Sequence, residues 1–347
     1  MNSVIKIRNI ILLLTLLLAA GTLSACRLGQ SQPEPVTDSL FAMDTYMTFT
    51  AYGENAGDAI EKAKEKVLSL DEMLSVNNEE SEVYELNHEG QPVLSDETLY
   101  LLDRSIEAYE ISHGAFNPLV YPLMLAWGFT TEEYRIPSDD ELEYLAALLD
   151  LEYVYRDEDL KSVSFGKEGM MIDFGGIAKG YASSCLMDIF RECGVKSACV
   201  SLGGNVHVLG TKPDGSKWNV AVRDPEDPSE YMGILSISDS AVITSGAYER
   251  YFEEDGVIYH HILDPDSGCP ADSGIISSTI VSNNGTLADA LSTAVYVMGL
   301  EKAEQLWREN PGLFDMIIMT SDNQVYITEG LKKDFKSDRY KTSIITP

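Results

Sequence analysis

Between residues 151 and 282 the sequence offers a succession of short strand-like pieces interrupted by a single helical one. β-Branched and aromatic residues gather at 151–155, 160–165, 170–173, 197–202, 206–209, 218–223, 232–237, 240–244, 257–263 and 275–282, with turn-forming residues between most of them. The one helix there is expected from about Gly176 to Cys193, ended by Gly194. Outside this stretch the period becomes helical. Residues 56–74 place Ala56, Ala59, Ile60, Ala63, Val67 and Leu70 on one face. Residues 96–112 form a second helix with Ser95 as cap and Leu99, Leu102, Ile106 and Tyr109 along one side. Ser138 and Glu141 have capping-box spacing for a helix through Leu149. The apolar stretch 114–129 contains Pro118 and Pro122 and is not one straight helix. Helices at 286–298 and 300–309 precede strands at 314–319 and 324–328, and a strand is expected within 41–53. This irregular alternation predicts an α+β fold of mixed sheets packed with helices.

The N-terminus follows other rules. Lys6 and Arg8 precede the apolar run "ILLLTLLLAAGTLSAC", as in a secretory signal, and the run is short for a membrane span. Leu23-Ser24-Ala25-Cys26 resembles the lipobox of bacterial lipoproteins, in which the Cys becomes the lipidated first residue; the plain alternative is an ordinary signal peptide with an incidental Cys. The expected layout is a signal peptide over 1–25, a lipidated Cys26 with a polar tether over 26–39, and one domain over 40–347. The protein would then be exported and lipid-anchored to the outer face of the bacterial cell membrane. Its formal charge of −31 becomes −31 − 2 = −33 without Lys6 and Arg8. Such a charge opposes binding to a nucleic-acid backbone or flat docking on an anionic bilayer. Cys185, Cys193, Cys199 and Cys269 lack CxxC spacing; the first three are expected as small buried residues rather than a zinc site, and no spacing demands a disulfide.

Chemistry concentrates in a few stretches. In "MMIDFGGIAKGYA" (170–182) an apolar run ends in Asp173, two glycines open a helix, and Lys179 lies one turn in. Free N–H groups and a cation suit a phosphate or pyrophosphate, although a tight strand-to-helix turn would look the same. In "GTLADALSTAVYVMG" (285–299), Asp289, Ser292 and Thr293 share one helical face and present oxygen, the donor of hard cations. Against that, Thr286 and Asp289 have capping-box spacing, and Ser or Thr within a helix often bonds back to a carbonyl. In "HHILDPDSGCP" (260–270) a strand would send His260 and His261 to opposite faces, so one of them can serve a given pocket. "VSLGGNVHVLG" (200–210) carries Gly-Gly between strands, either a close approach or a bulge. Arg223 and Arg250 suit a phosphate or a carboxylate partner.

Taken together, in order and spacing, these motifs resemble the FAD:protein FMN transferases, the ApbE-type flavin transferases. The resemblance rests on "MDT" at 43–45, "GAFNP…PL…WGF" at 114–129, "IDFGGIAKGYA" at 172–182, "SLGGNVHVLG" at 201–210, "W.VAVRDP" at 218–225, "SGAYERYF" at 245–252, "HILDPDSGCP" at 261–270 and "DALSTAVYVMG" at 289–299. It implies an ApbE-like single domain, or two lobes around a cleft. It implies FAD as substrate, Mg²⁺ as cofactor, transfer of FMN to a Ser or Thr hydroxyl of an exported acceptor protein, and release of AMP. By position, Asp289 and Thr293 would be metal ligands with Ser292 close by, and Gly176 would offer its carbonyl. Met43, Ala115, Phe116, Asn117, Asp173, Lys179 and Leu263 match flavin-nucleotide contacts, and Arg250 would steady the ligand. His261 matches the catalytic histidine, proposed as general base because an imidazole titrates near neutrality. Two departures stand out: Asn117 where many members have Asp, and Asn77 where some have a Tyr near the flavin. The alternatives are an Mg²⁺-dependent FAD pyrophosphatase giving FMN and AMP, and a non-catalytic flavin-binding lipoprotein.

Overall fold

Strand β1 (Val36–Ala42) turns back into β2 (Thr45–Tyr52) through Met43 and Asp44, both at positive φ, 48° and 56°. The computed structural model describes residues 33–347 apart from Gln91 and Pro228, and residues 35–347 form one unit. The signal segment and Cys26 lie outside the described residues. Strand β1 begins inside the stretch expected as tether: Val36 pairs with Ala51 and Ser39 with Thr48. The last residues of that polar stretch, Val36 to Ser39, belong to an outer strand whose first residues are exposed.

Helices α1 (Ala56–Leu74), α2 (Glu82–His88), α3 (Asp96–Ile111), α4 (Tyr121–Trp127) and α5 (Asp139–Ala146) follow, then strands β3 (Val154–Asp157) and β4 (Ser162–Phe165) and helix α6 (Ala178–Glu192). The chain continues through β5 (Ser197–Leu202), β6 (Asn205–Leu209), β7 (Trp218–Arg223), β8 (Tyr231–Ile237), β9 (Ser240–Gly246), β10 (Tyr251–Glu254), β11 (Val257–His260) and β12 (Ile275–Ser282). Helix α7 (Gly285–Glu309), β13 (Asp315–Thr320), β14 (Val325–Thr328), β15 (Phe335–Lys336) and β16 (Thr342–Ile345) complete it. Nine strands make one sheet in the order β1-β2-β5-β6-β9-β12-β13-β14-β16, antiparallel except between β14 and β16. The expected mixed α+β architecture is what forms.

The alternation of side chains along these strands builds two cores. Ile243, Ile280 and Ile318 face helix α7, while their neighbours Val242, Val281 and Ile317 face the small sheet β15-β8-β7. All six apolar positions expected on α1 are buried. Ser95 and Ser138 cap α3 and α5, each accepting the N–H three residues on.

Several expectations are corrected. Residues 170–173 are not a strand: the Asn87 side chain accepts the Ile172 N–H at 2.8 Å and donates to the Ile172 carbonyl at 2.9 Å, replacing a neighbouring strand. The last strand-like piece before the 261–270 turn stops at His260. The helix opened by Ser138 ends at Ala146, short of Leu149. The two C-terminal helices run as one element with a break at Gly299, whose φ of 79° and ψ of 167° are not helical. Cys185, Cys193 and Cys199 are half-buried rather than fully buried, and these three and Cys269 are free thiols.

Candidate active site

The turn Met43–Asp44, the C-terminal end of α1, the loop around residue 116, the segment 173–179 and the turn after β11 enclose a cleft of about 500 Å³. Met43, Asn77, Ala115, Phe116, Asn117, Asp173, Gly176, Lys179, Arg250, His261, Leu263 and Thr293 all line it. Motif residues from distant parts of the sequence thus meet around one space. Asp289 and Ser292 do not reach its wall; they lie beneath it in α7, and both are buried.

Met43 holds a left-handed backbone that a side chain with a β-carbon adopts at a cost of about 1–2 kcal/mol. It closes a tight hairpin and aims the turn at the cleft. Phe116 is buried, and its ring sets the limit on residue 176. A β-carbon on Gly176 would come within 3.1 Å of the ring and 3.9 Å of the Thr293 hydroxyl. Asn117 explains its own departure from Asp: its amide donates to the Leu149 carbonyl at 2.8 Å while its oxygen accepts the Leu119 N–H at 2.9 Å. A carboxylate makes only the second of these bonds. Asn77 is exposed at the rim.

Asp173 is anchored by its backbone N–H to the Pro118 carbonyl at 2.9 Å, and its carboxylate accepts the Gly175 N–H at 2.9 Å. Burial raises its pKa; that N–H and the charges of Lys179 and Arg250 work against the rise. Lys179 faces the same space on the first turn of α6.

The helix α6 has no side-chain cap of its own. Asp289 supplies one from α7: its Oδ2 accepts the Gly180 N–H at 2.7 Å, and its Oδ1 accepts from the Asn205 amide at 2.9 Å. The capping-box alternative for Asp289 is not realised, because Asn284 caps α7 by accepting the Leu287 N–H at 3.1 Å. Burial raises the Asp289 pKa, with Lys179 the first opposing influence. Ser292 donates to the Asp289 carbonyl at 2.7 Å, the back-bonding expected of a helical serine, and lies 2.7 Å from the Ser245 hydroxyl. The Thr293 hydroxyl is 3.3 Å from Ser245 and reaches the cleft.

These oxygens suit a hard cation. Among the described residues no group of three or more His, Cys, Asp and Glu could hold a metal. One buried carboxylate, with the Thr293 hydroxyl one helical turn further on, leaves most of a magnesium shell to other oxygens, waters and ligand phosphates. Such an ion would add to the charge of Lys179 in balancing the Asp289 carboxylate, whose hydrogen-bond donors here are neutral.

The two histidines separate as expected, though at a strand end rather than along a strand. His260 is buried, with Nε2 3.2 Å from the Ala271 carbonyl and its ring edge-on to Tyr296. His261 lines the cleft, and both its backbone N–H and its Nδ1 lie 3.1 Å from the Arg250 carbonyl. A carbonyl only accepts, so Nδ1 carries the proton and Nε2 keeps its lone pair. Burial lowers the His261 pKa to about 4, below the near-neutral value assumed from an unperturbed imidazole. The Arg250 guanidinium donates to the Phe129 carbonyl at 3.2 Å. Arg223 lies over the Tyr248 ring, 5.2 Å from its centre, and does not line the cleft.

Gly180, Asn205 and Ser245 join the site through contacts that motif spacing does not display. The signal for Asn205 was a lone polar residue opening the strand after Gly203 and Gly204, which form a positive-φ hairpin turn.

The fold and cleft define a mixed α+β protein of the flavin transferase type. The ApbE protein of Thermotoga maritima superposes with a TM-score of 0.81 at 32% identity, over 88% of this chain and all of that one. The flavin transferase ApbE of Vibrio cholerae gives 0.78 at 26% identity, over 87% and 99%. The FAD:protein FMN transferase of Treponema pallidum is 32% identical, covering 87% of this chain and 89% of its own length. That of Klebsiella pneumoniae is 33% identical over 74% and 81%. The ApbE family model matches residues 43–318, and the chain belongs to the ApbE family.

Proposed function

We propose that this protein is an Mg²⁺-dependent FAD:protein FMN transferase. The observation that carries the proposal is one cleft in which the free Nε2 of His261, Lys179 and Thr293 converge above the buried carboxylate of Asp289. The names borne by its relatives support the same activity.

FAD would lie with its flavin portion against Met43, Phe116 and Leu263 and its phosphates toward the start of α6, where Lys179 faces them. Gly176, Asp289 and Thr293 would hold the magnesium ion, which when bound neutralises charge on the phosphate oxygens. The hydroxyl oxygen of an acceptor Ser or Thr bonds to the phosphorus of the FMN half. The bond from that phosphorus to the bridging oxygen breaks, AMP leaves, and the hydroxyl proton passes to Nε2 of His261. The Arg250 carbonyl keeps the imidazole in the tautomer that can accept it. The acceptor is an exported protein, and the enzyme works outside the cell on a lipid anchor at Cys26; the charged start, apolar run and lipobox-like end of the leader support this placement.

The test is one incubation of the soluble domain with FAD, Mg²⁺ and a Thr-containing acceptor peptide, read by mass spectrometry. An FMN adduct on the peptide is expected. Free FMN without adduct would make the protein a pyrophosphatase, and intact FAD would make it a capture protein.

A further inference from the structure

A second cavity, of about 340 Å³, adjoins the active-site cleft. Ala115 and Pro265 line both spaces, so they form the sill between them. The far wall belongs to the second half of α7, where Val297, Met298 and Leu306 give an apolar floor and Lys302 and Gln305 stand at the rim. None of the residues that line the cleft, apart from the two on the sill, takes part.

The sill is rigid. In the turn after His261 the Asp264 N–H donates to the Cys269 carbonyl at 2.8 Å, and the Gly268 N–H donates to the Asp264 carbonyl at 2.8 Å. The Asp264 carboxylate also accepts the Asp266 N–H at 3.0 Å, and Leu263 and Pro270 form an isolated bridge. This short turn therefore carries the base at one end and the wall of the second cavity at the other. On the opposite side, His113 holds a left-handed backbone, φ 53°, and Gly114 follows at 88°.

We infer that the second cavity receives the polypeptide that flanks the acceptor hydroxyl. This rests on the transferase function proposed above. A hydroxyl borne by a protein arrives with chain on both sides, and that chain needs a path leading away from the phosphorus. The cleft is lined by the residues matched to the dinucleotide, whereas the second cavity shares only Ala115 with that set and joins the cleft at Ala115 and at Pro265 in the turn that follows His261. Its apolar floor suits one side chain of an extended segment, and its rim carries both signs, Lys302 against Asp266 and Glu309. Exposed rim charges steer an encounter more than they set its strength, so most of the selectivity falls to the floor.

The test uses the whole soluble domain with two substitutions, neither in the buried core: Gln305→Trp to fill the cavity and Lys302→Glu to change its rim. The probe is the exported protein fraction of the source cells, with Mg²⁺ and FAD, read as flavin fluorescence of protein bands in denaturing gels. FAD affinity is measured separately by quenching of flavin fluorescence. The expected result is that Gln305→Trp slows labelling by about tenfold or more with unchanged FAD affinity, and that Lys302→Glu alters the relative intensities of the bands. Labelling by Gln305→Trp at the wild-type rate overturns the inference, as does a parallel loss of FAD affinity, which would assign the cavity to the dinucleotide. No labelled band with the unsubstituted protein refutes the transferase function itself.

Discussion

The carboxylate of Asp289 on α7 closes the open start of α6 by accepting the Gly180 N–H at 2.7 Å. The contact exists because two glycines face each other where the helices meet. A β-carbon on Gly180 would lie 2.5 Å from that of Asp289, and one on Gly285 would lie 2.6 Å from the Ser183 hydroxyl. The same contact places a buried carboxylate one turn before Thr293 and directly beneath the cleft.

Gly180→Ala should therefore separate the two helices. The expected cost is about 1–3 kcal/mol, as for other insertions into a packed interior, measured as a fall in the urea midpoint. Activity should fall further than stability, because the displaced group is Asp289.

Asn205→Ala should leave the fold intact and weaken magnesium. The Asn205 amide at 2.9 Å orients the Asp289 carboxylate, and loss of such an outer partner typically lowers metal affinity about 10–100-fold. The measurement is the rise in thermal midpoint on adding Mg²⁺ with FAD; the variant should need correspondingly more metal for the same rise. An unchanged titration would show that Asn205 has no part in holding the ligand.

The pH profile follows from His261. Burial holds its pKa at about 4 against an ordinary 6.5, so the imidazole is already neutral across the range where a free one would be half protonated. The acid limb of kcat/KM, which reports the free enzyme, should lie nearer 4 than 6.5. His261→Ala should abolish the limb and lower transfer by about 10²–10⁴-fold while FAD still binds.

His207 gives a stability prediction of the same sign. It is buried, with Nδ1 3.0 Å from the Ser183 hydroxyl, and burial lowers its pKa to about 4 from 6.5. The unfolded chain binds more protons between those values, so stability is fully present above 6.5 and lost as pH falls toward 4. The loss from this residue is about 3 kcal/mol. His207→Gln should flatten stability over that interval, measured by urea unfolding at stepped pH.

Much of this was legible in the sequence for definite reasons. The face of α1 and the caps Ser95 and Ser138 are set by neighbours in the chain, and local chemistry is what a sequence displays. Met43, Phe116, Asp173, Lys179, His261 and Thr293, which line the cleft, stand in motifs whose order and spacing match a family, whereas Leu70, Leu74 and Val76 line it from outside those motifs. What escaped depends on contacts across the fold. Residues 170–173 look like a strand because they are extended, but their partner is the side chain of Asn87, 85 positions from Ile172. The spacing of Asp289 from Thr286 suggests a cap for its own helix, yet it caps another, 109 positions from Gly180. The lowered pKa of His261 comes from the protein packed around it, which no spacing reveals.

The central claim is tested most directly by mass spectrometry of an acceptor peptide after incubation with FAD and Mg²⁺, comparing the unsubstituted protein with Asp289→Asn and His261→Ala. The account predicts a peptide heavier by FMN less water, matched by released AMP, with the unsubstituted protein only. An adduct formed equally well by either variant would contradict it, because the transfer would then need neither the buried carboxylate nor the free imidazole nitrogen.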